Sequence, residues 1–222
     1  MTWAPLALSL QIAALATALS VIVGTALALV LQWRRLPAPD LIDALVSAPL
    51  VLPPTVLGYY LLVVLGADSA IGRAWESLTG TTIVFSFTGA VIAAAVGSLP
   101  LVVRSVRVGL EAVDPRFVAA ARTLGASPAR VVRTIVLPLA APGIVAGAML
   151  GFARALGDYG MTQMVAGSKI GGTPTASIYV MDALYANQEA GARDMAIATT
   201  VLGVGLLWAA NVLTRRLLTA RA

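Results

Sequence analysis

Five long apolar runs, parted by short polar stretches, constrain this chain more than any other feature. They cover residues 6–31, 44–65, 83–103, 139–156 and 195–213. A helix needs about 20 apolar residues to cross the hydrocarbon core, and each run supplies close to that number. The second does so despite Pro49, Pro53 and Pro54, and the fourth can be extended to residue 166. With 59% hydrophobic and 11% charged residues, the chain departs from the roughly 45–50% and about 25% of soluble domains. The expectation is an all-α integral membrane protein, one transmembrane domain over residues 1–222 with no interspan loop long enough for a soluble domain. A sixth, re-entrant segment is a candidate at 175–185, where apolar positions recur at helical spacing around Asp182. The first run does not read as a cleaved signal: no basic residue precedes it, it is too long, and Arg34–Arg35 follow it.

Orientation follows from Lys and Arg. Arg34 and Arg35, the cluster Arg104, Arg107, Arg116, Arg122, Arg130 and Arg133, and the tail Arg215, Arg216 and Arg221 fall on one side of a five-span topology. Only Arg73, Lys169 and Arg193 fall on the other, and Arg154 lies within the fourth span. The rich side is expected to be the cytoplasm, with the N-terminus outside and the C-terminus inside. The net charge of +5 is therefore a positive-inside bias, and no nucleic-acid partner is expected.

The chain has no cysteine and no histidine. That removes thiolate chemistry, the commonest general base and the commonest transition-metal ligand. No metal, cofactor or catalytic residue is expected. No G-x-x-x-x-G-K-[ST] phosphate loop occurs, and the lone lysine, Lys169, sits in SKIGG on the other side. If the chain does ATP-driven work, a separate protein must hydrolyse the ATP.

The stretch 114–136 carries a second signal. Asp114 is a good N-cap and Pro115 a good first helical residue. Gly125 follows Leu124 where a helix end favours a left-handed residue, and Ser127–Pro128 repeats the cap-then-proline start. The second helix is expected to run to about Val136, to end at Pro138, and to leave Pro142–Gly143 as the start of the fourth span. A plain basic loop would grip anionic lipid headgroups. Lipid needs charge, however, and not two capped helices around a glycine. The apolar positions Phe117, Ala120, Ala121 and Leu124 suit a groove on a partner protein.

ARTLGAS followed by IVLPLAAPGI resembles the "EAA" loop in permease subunits of binding-protein-dependent ABC importers. That pattern is Glu-Ala-Ala, three residues, Gly, then about nine residues to Ile-x-Leu-Pro. Ala120 and Ala121 match the alanines, Gly125 the glycine, and Ile135, Leu137 and Pro138 the close; Ala119 stands where the family has Glu. The resemblance implies a type I importer permease fold in the bacterial inner membrane. It also implies a coupling helix seated in a groove of an ATPase subunit, with Ala119, Ala120, Ala121, Arg122, Leu124, Gly125, Ala126, Ser127 and Arg130 as the contact.

Two further polar features lie near the membrane. Arg154 and Asp158 share a helical face at i, i+4. They are either a self-neutralising structural ion pair or part of an ion path. Gly157 and Gly160 flank Asp158–Tyr159 and should loosen the helix there. In the second run Pro53–Pro54 removes two donors and kinks the helix, which is tolerated where protein or a cavity serves the freed carbonyls. Thr55, Tyr59 and Tyr60 then face that cavity, or the tyrosines sit in the outer aromatic belt. The small residues from Gly89 to Ser98 suit close helix packing, and the first span reads as peripheral scaffold.

FARALGDYGMTQMVAG and LPPTVLGYY resemble stretches of molybdate permeases and, more loosely, of tungstate and sulfate permeases. Asp158 replaces their usual Glu. The likeness runs from about Leu8 to the end. It implies a homodimer with a translocation path at the twofold axis, lined by Pro53, Pro54, Thr55, Arg154, Asp158 and Tyr159. It also implies two ATPase copies and an external binding protein docking at 66–82 and 167–194, with surrounding lipid as the remaining partner. The expected activity is ATP-driven import of an oxyanion, molybdate first, by alternating access. Tungstate or sulfate/thiosulfate is the alternative solute, and an ATP-independent transporter or scaffold is the alternative class.

Overall fold

The apolar runs become helices that differ in length and continuity from the sequence expectation. A computed structural model describes residues 3–32 and 38–219; Arg34, Arg35 and Arg221 fall outside them. The helices are α1 (Ala4–Leu31), α2 (Pro39–Val51), α3 (Pro54–Leu65), α4 (Ala70–Thr79), α5 (Phe87–Glu111), α6 (Pro115–Thr123), α7 (Pro128–Val131), α8 (Leu137–Leu156), α9 (Gly160–Ala166), α10 (Ala176–Tyr185) and α11 (Glu189–Thr219). A π-helical turn, Val132–Val136, joins α7 to α8. Apart from one isolated bridge, Ile170 to Thr173, the described residues form no β-structure.

Among the described residues, 4 helical stretches are long and apolar enough to cross a membrane: Ala4–Leu31, Phe87–Glu111, Pro128–Leu156 and Glu189–Val212. The pair Asp40–Val51 and Pro54–Leu65 adds a fifth if taken as one span, but bent by 115°. That is a break and not the expected kink. Leu52 is extended and Pro53–Pro54 offers no N–H to continue the ladder. The 10-residue α10 spans about 15 Å, too short to cross.

At the centre lies α5, with 61% of its apolar window buried against 11% for α11. The first half of its buried stripe is small, with Ala90, Ala93, Ala94, Gly97 and Ser98, and the second half carries Val102, Val103, Val106 and Leu110. Small side chains let backbones approach where hydrophobicity alone gives no drive between helices. The closest approach is to α8. A Cβ on Gly143 would sit 2.6 Å from the Cα of Gly109, closer than atoms can pack.

Against α5 on another side lies α1, which is less peripheral than its composition suggested. Ile12, Ala13, Ala16, Ser20, Gly24 and Ala28 are buried on one face. Ser20 Oγ donates to the Ala95 carbonyl at 2.9 Å and pairs with Ser98 Oγ at 2.9 Å. The other face, with Leu15, Leu19, Ile22 and Val23, is exposed.

Candidate functional site

The 114–136 hairpin forms as its caps dictate. Asp114 accepts from the Arg116 N–H at 2.8 Å, and Ser127 from the Arg130 N–H at 3.4 Å. Gly125 sits at φ +80°. Its N–H donates to Arg122 O and the Ala126 N–H to Ala121 O, each at 3.0 Å. Those two bonds close a Schellman motif. No residue of α6 is buried, and Phe117 and Leu124 are 55% and 87% exposed. An apolar pair so exposed on a capped helix has no partner within the described chain.

Its second arm departs from expectation. The helix does not end at Pro138. The π turn at Val132–Val136 widens the ladder ahead of Pro138, with the Leu137 N–H bonding Val132 O five residues back. Pro138 comes just after this turn, which accommodates its missing N–H, and Pro142 lies further inside the same helix. The stretch Pro128–Leu156 is thus one 29-residue rod, about 43 Å long. It runs from the hairpin to the break at Gly157–Tyr159.

At that break the sequence signals converge. Asp158 is 4% exposed, and both of its oxygens are engaged. Oδ1 takes Arg154 Nη1 at 2.9 Å; Oδ2 takes the Thr162 N–H at 2.9 Å and Thr162 Oγ1 at 2.8 Å. The carboxylate therefore joins the end of α8 to the first turn of α9. With its charge countered and both oxygens bonded inside the protein, the carboxylate favours the structural reading of the pair. Gly160 packs on the elbow of the second span, where a Cβ would lie 3.1 Å from Pro54 Cβ and 3.4 Å from Thr55 Cγ2. Pro54, Thr55, Arg154, Asp158 and Tyr159 are thus gathered around one joint, with Pro53 beside them. Tyr59 and Tyr60 are 54% and 53% exposed, outside the buried part of this joint. Tyr159 borders a cavity of about 380 Å³ together with Ser177, Thr199 and Thr200.

Two features escaped sequence reasoning. Arg107 pairs with Asp43 at 2.5 Å, and Arg104 donates to Ser47 at 3.2 Å. These two rungs hold α2 against α5. The signal was the one-turn spacing of Asp43 and Ser47 opposite that of Arg104 and Arg107, legible only once the helices are known to be antiparallel neighbours. The other is the hydroxyl group of residues beside Tyr159, brought together by packing of α10 on α11.

A broken second span, a capped hairpin and a rod connecting it to a charged joint define a membrane permease subunit. The chain belongs to the family described as binding-protein-dependent transport system inner membrane component, which it matches over residues 20–219. It is 40% identical over 219 residues to the molybdenum transport system permease protein ModB of Escherichia coli (strain K12), covering 96% of each chain. It is 39% identical over 193 residues to that of Azotobacter vinelandii, covering 87% of this chain and 85% of the relative. The chloroplastic sulfate permease 2 of Chlamydomonas reinhardtii is 31% identical over 203 residues, covering 91% and 55%. In fold, it resembles the inward-facing MetNI methionine ABC transporter, with TM-score 0.73, 18% identity and coverage of 97% and 99%. The fold is that of ABC importer permeases.

Proposed function

We propose that this chain is the permease subunit of an ABC importer that carries molybdate inward by alternating access. The relatives named for molybdenum transport, matched over nearly the whole chain, support the solute. The hairpin supports the class. Residues Ala119–Ala121, Arg122, Leu124–Ser127 and Arg130 seat in an ATPase subunit, one hairpin per protomer of a homodimer. ATP-driven approach of the two ATPases pulls the Pro128–Leu156 rod. Its far end moves the joint formed by Pro53, Pro54, Thr55, Arg154, Asp158 and Tyr159, which lines the path.

The single observation carrying this reading is the continuity of α7 with α8 through the π turn. A hairpin ending at Pro138 would flex, whereas a rod transmits displacement. Within the joint, Asp158 holds Arg154 and α9 in place, while Thr55 and Tyr159 offer hydroxyls to a passing anion. A lining whose one charged pair neutralises itself binds an anion weakly enough to release it. The basic side with the hairpin faces the cytoplasm, an external binding protein delivers the anion, and the subunit itself performs no catalysis.

Sulfate is the competing solute, favoured by the sulfate permease relative. Uptake of labelled molybdate, with the cognate ATPase and binding protein and with unlabelled competitor, separates the two. Molybdate should compete fully and sulfate should require a large excess. Equal competition by sulfate removes the molybdate assignment.

A further inference from the structure

The hairpin has a second face, turned back toward the membrane. Between it and the ends of α1 and α5 lies a cavity of about 540 Å³, lined among others by Leu29, Val30, Leu110, Val118 and Val136. That is the size of a small-molecule site. Apolar groups dominate the lining. Its charged member is Arg122, with Gln32 as a polar neighbour and Ala119 one turn before Arg122. No acid is among the lining residues. Among the described residues Arg122 has no ion-pair partner. At the mouth, Val30 is 41% exposed, on the same side of α1 as exposed Val23. One wall of the cavity is thus shared with the exposed side of a spanning helix, near the end of that helix.

We propose that this cavity holds an anionic phospholipid, its acyl chain among Leu29, Val30, Leu110 and Val118 and its phosphate on Arg122. The chemistry is one-sided. An apolar slot beside the lipid face of α1 admits a chain, and a guanidinium with no ion-pair partner among the described residues selects a negative head. Arg116, Arg130 and Arg133 on the same hairpin deepen the positive field. Of the residues seated in the ATPase, Ala119 and Arg122 alone also line the cavity, so the rest of that contact stays available to the ATPase while lipid is bound. A lipid so placed wedges the hairpin against α1 and α5, which makes coupling sensitive to membrane composition.

The test is native mass spectrometry of the intact complex, purified with equal amounts of phosphatidylglycerol and phosphatidylcholine. The wild type should retain phosphatidylglycerol selectively. Arg122→Gln, and Ala119→Glu, which sets a carboxylate one turn before Arg122, should each lower retention about fivefold, the equivalent of about 1 kcal/mol per basic residue at an anionic surface. Arg122→Lys should keep most of it. Equal retention of both lipids, or unchanged retention in Arg122→Gln, overturns the proposal. So does displacement of the lipid by millimolar inorganic phosphate, which would assign the site to a free anion. If Arg122→Gln sheds the ATPase while keeping its lipid, Arg122 is a subunit contact and the proposal fails. Retention is read by mass alone, so it stands or falls separately from the identity of the transported solute.

Discussion

Replacing Arg154 by Gln strands a carboxylate. The Asp158 side chain is 2% exposed and the Arg154 side chain 30%. Arg154 supplies the countercharge, while Thr162 supplies only neutral donors. Removing one member of a buried pair costs about 3–5 kcal/mol, because the remaining charge stays desolvated. The partial exposure of Arg154 places this case at the low end, near 3 kcal/mol. Asp158→Asn should cost less, about 1–2 kcal/mol, since a neutral amide keeps an acceptor for Thr162 and a partly exposed guanidinium can rehydrate. The double variant Arg154→Gln/Asp158→Asn should recover part of the Arg154→Gln loss, which two independent sites would not do. The assay is unfolding of the purified subunit in mixed micelles, followed by tryptophan fluorescence against SDS mole fraction. If Arg154→Gln shifts stability by less than about 0.5 kcal/mol, as a surface change does, Asp158 is not held as a buried ion and the joint is wrongly described.

Three other substitutions probe separate links. Gly125→Val puts a β-branched residue at φ +80°, at a cost above the ~1–2 kcal/mol of an ordinary residue there; ATP hydrolysis should persist while uptake falls, and normal coupled uptake would contradict the hairpin's role. Gly143→Leu inserts a side chain where even a Cβ is 2.6 Å from Gly109 Cα; folded yield should collapse, whereas the same change at Gly205, which has open space, should be tolerated. Asp43→Asn should change stability by less than about 1 kcal/mol, because the Asp43–Arg107 pair is partly exposed; a larger loss in the same SDS titration would mean that α2 depends on this contact.

The class of protein was legible because apolar length and charge asymmetry are one-dimensional signals. Asp114, Gly125 and Ser127 were equally readable, since a cap is decided by a few adjacent residues. Pro138 was misread as a helix end. A proline stops a helix only if the preceding turn cannot rearrange, and here the π turn at Val132–Val136 absorbs it. The second span was read as kinked and proved broken, because the angle depends on what packs against Pro54, namely Gly160. The role of α1 was underestimated for a similar reason. Ser20 and Gly24 gain meaning only opposite Ala95, Ser98 and Val102. Long-range pairs such as Asp43 with Arg107 leave no local trace.

ATP-dependent uptake of labelled molybdate into proteoliposomes tests the central claim most directly. With the binding protein outside and ATP and the ATPase subunit within the complex, uptake should occur and should stop when either ATP or the ATPase subunit is omitted. Uptake that continues without ATP would show that this chain works alone, and the hairpin would then need another purpose.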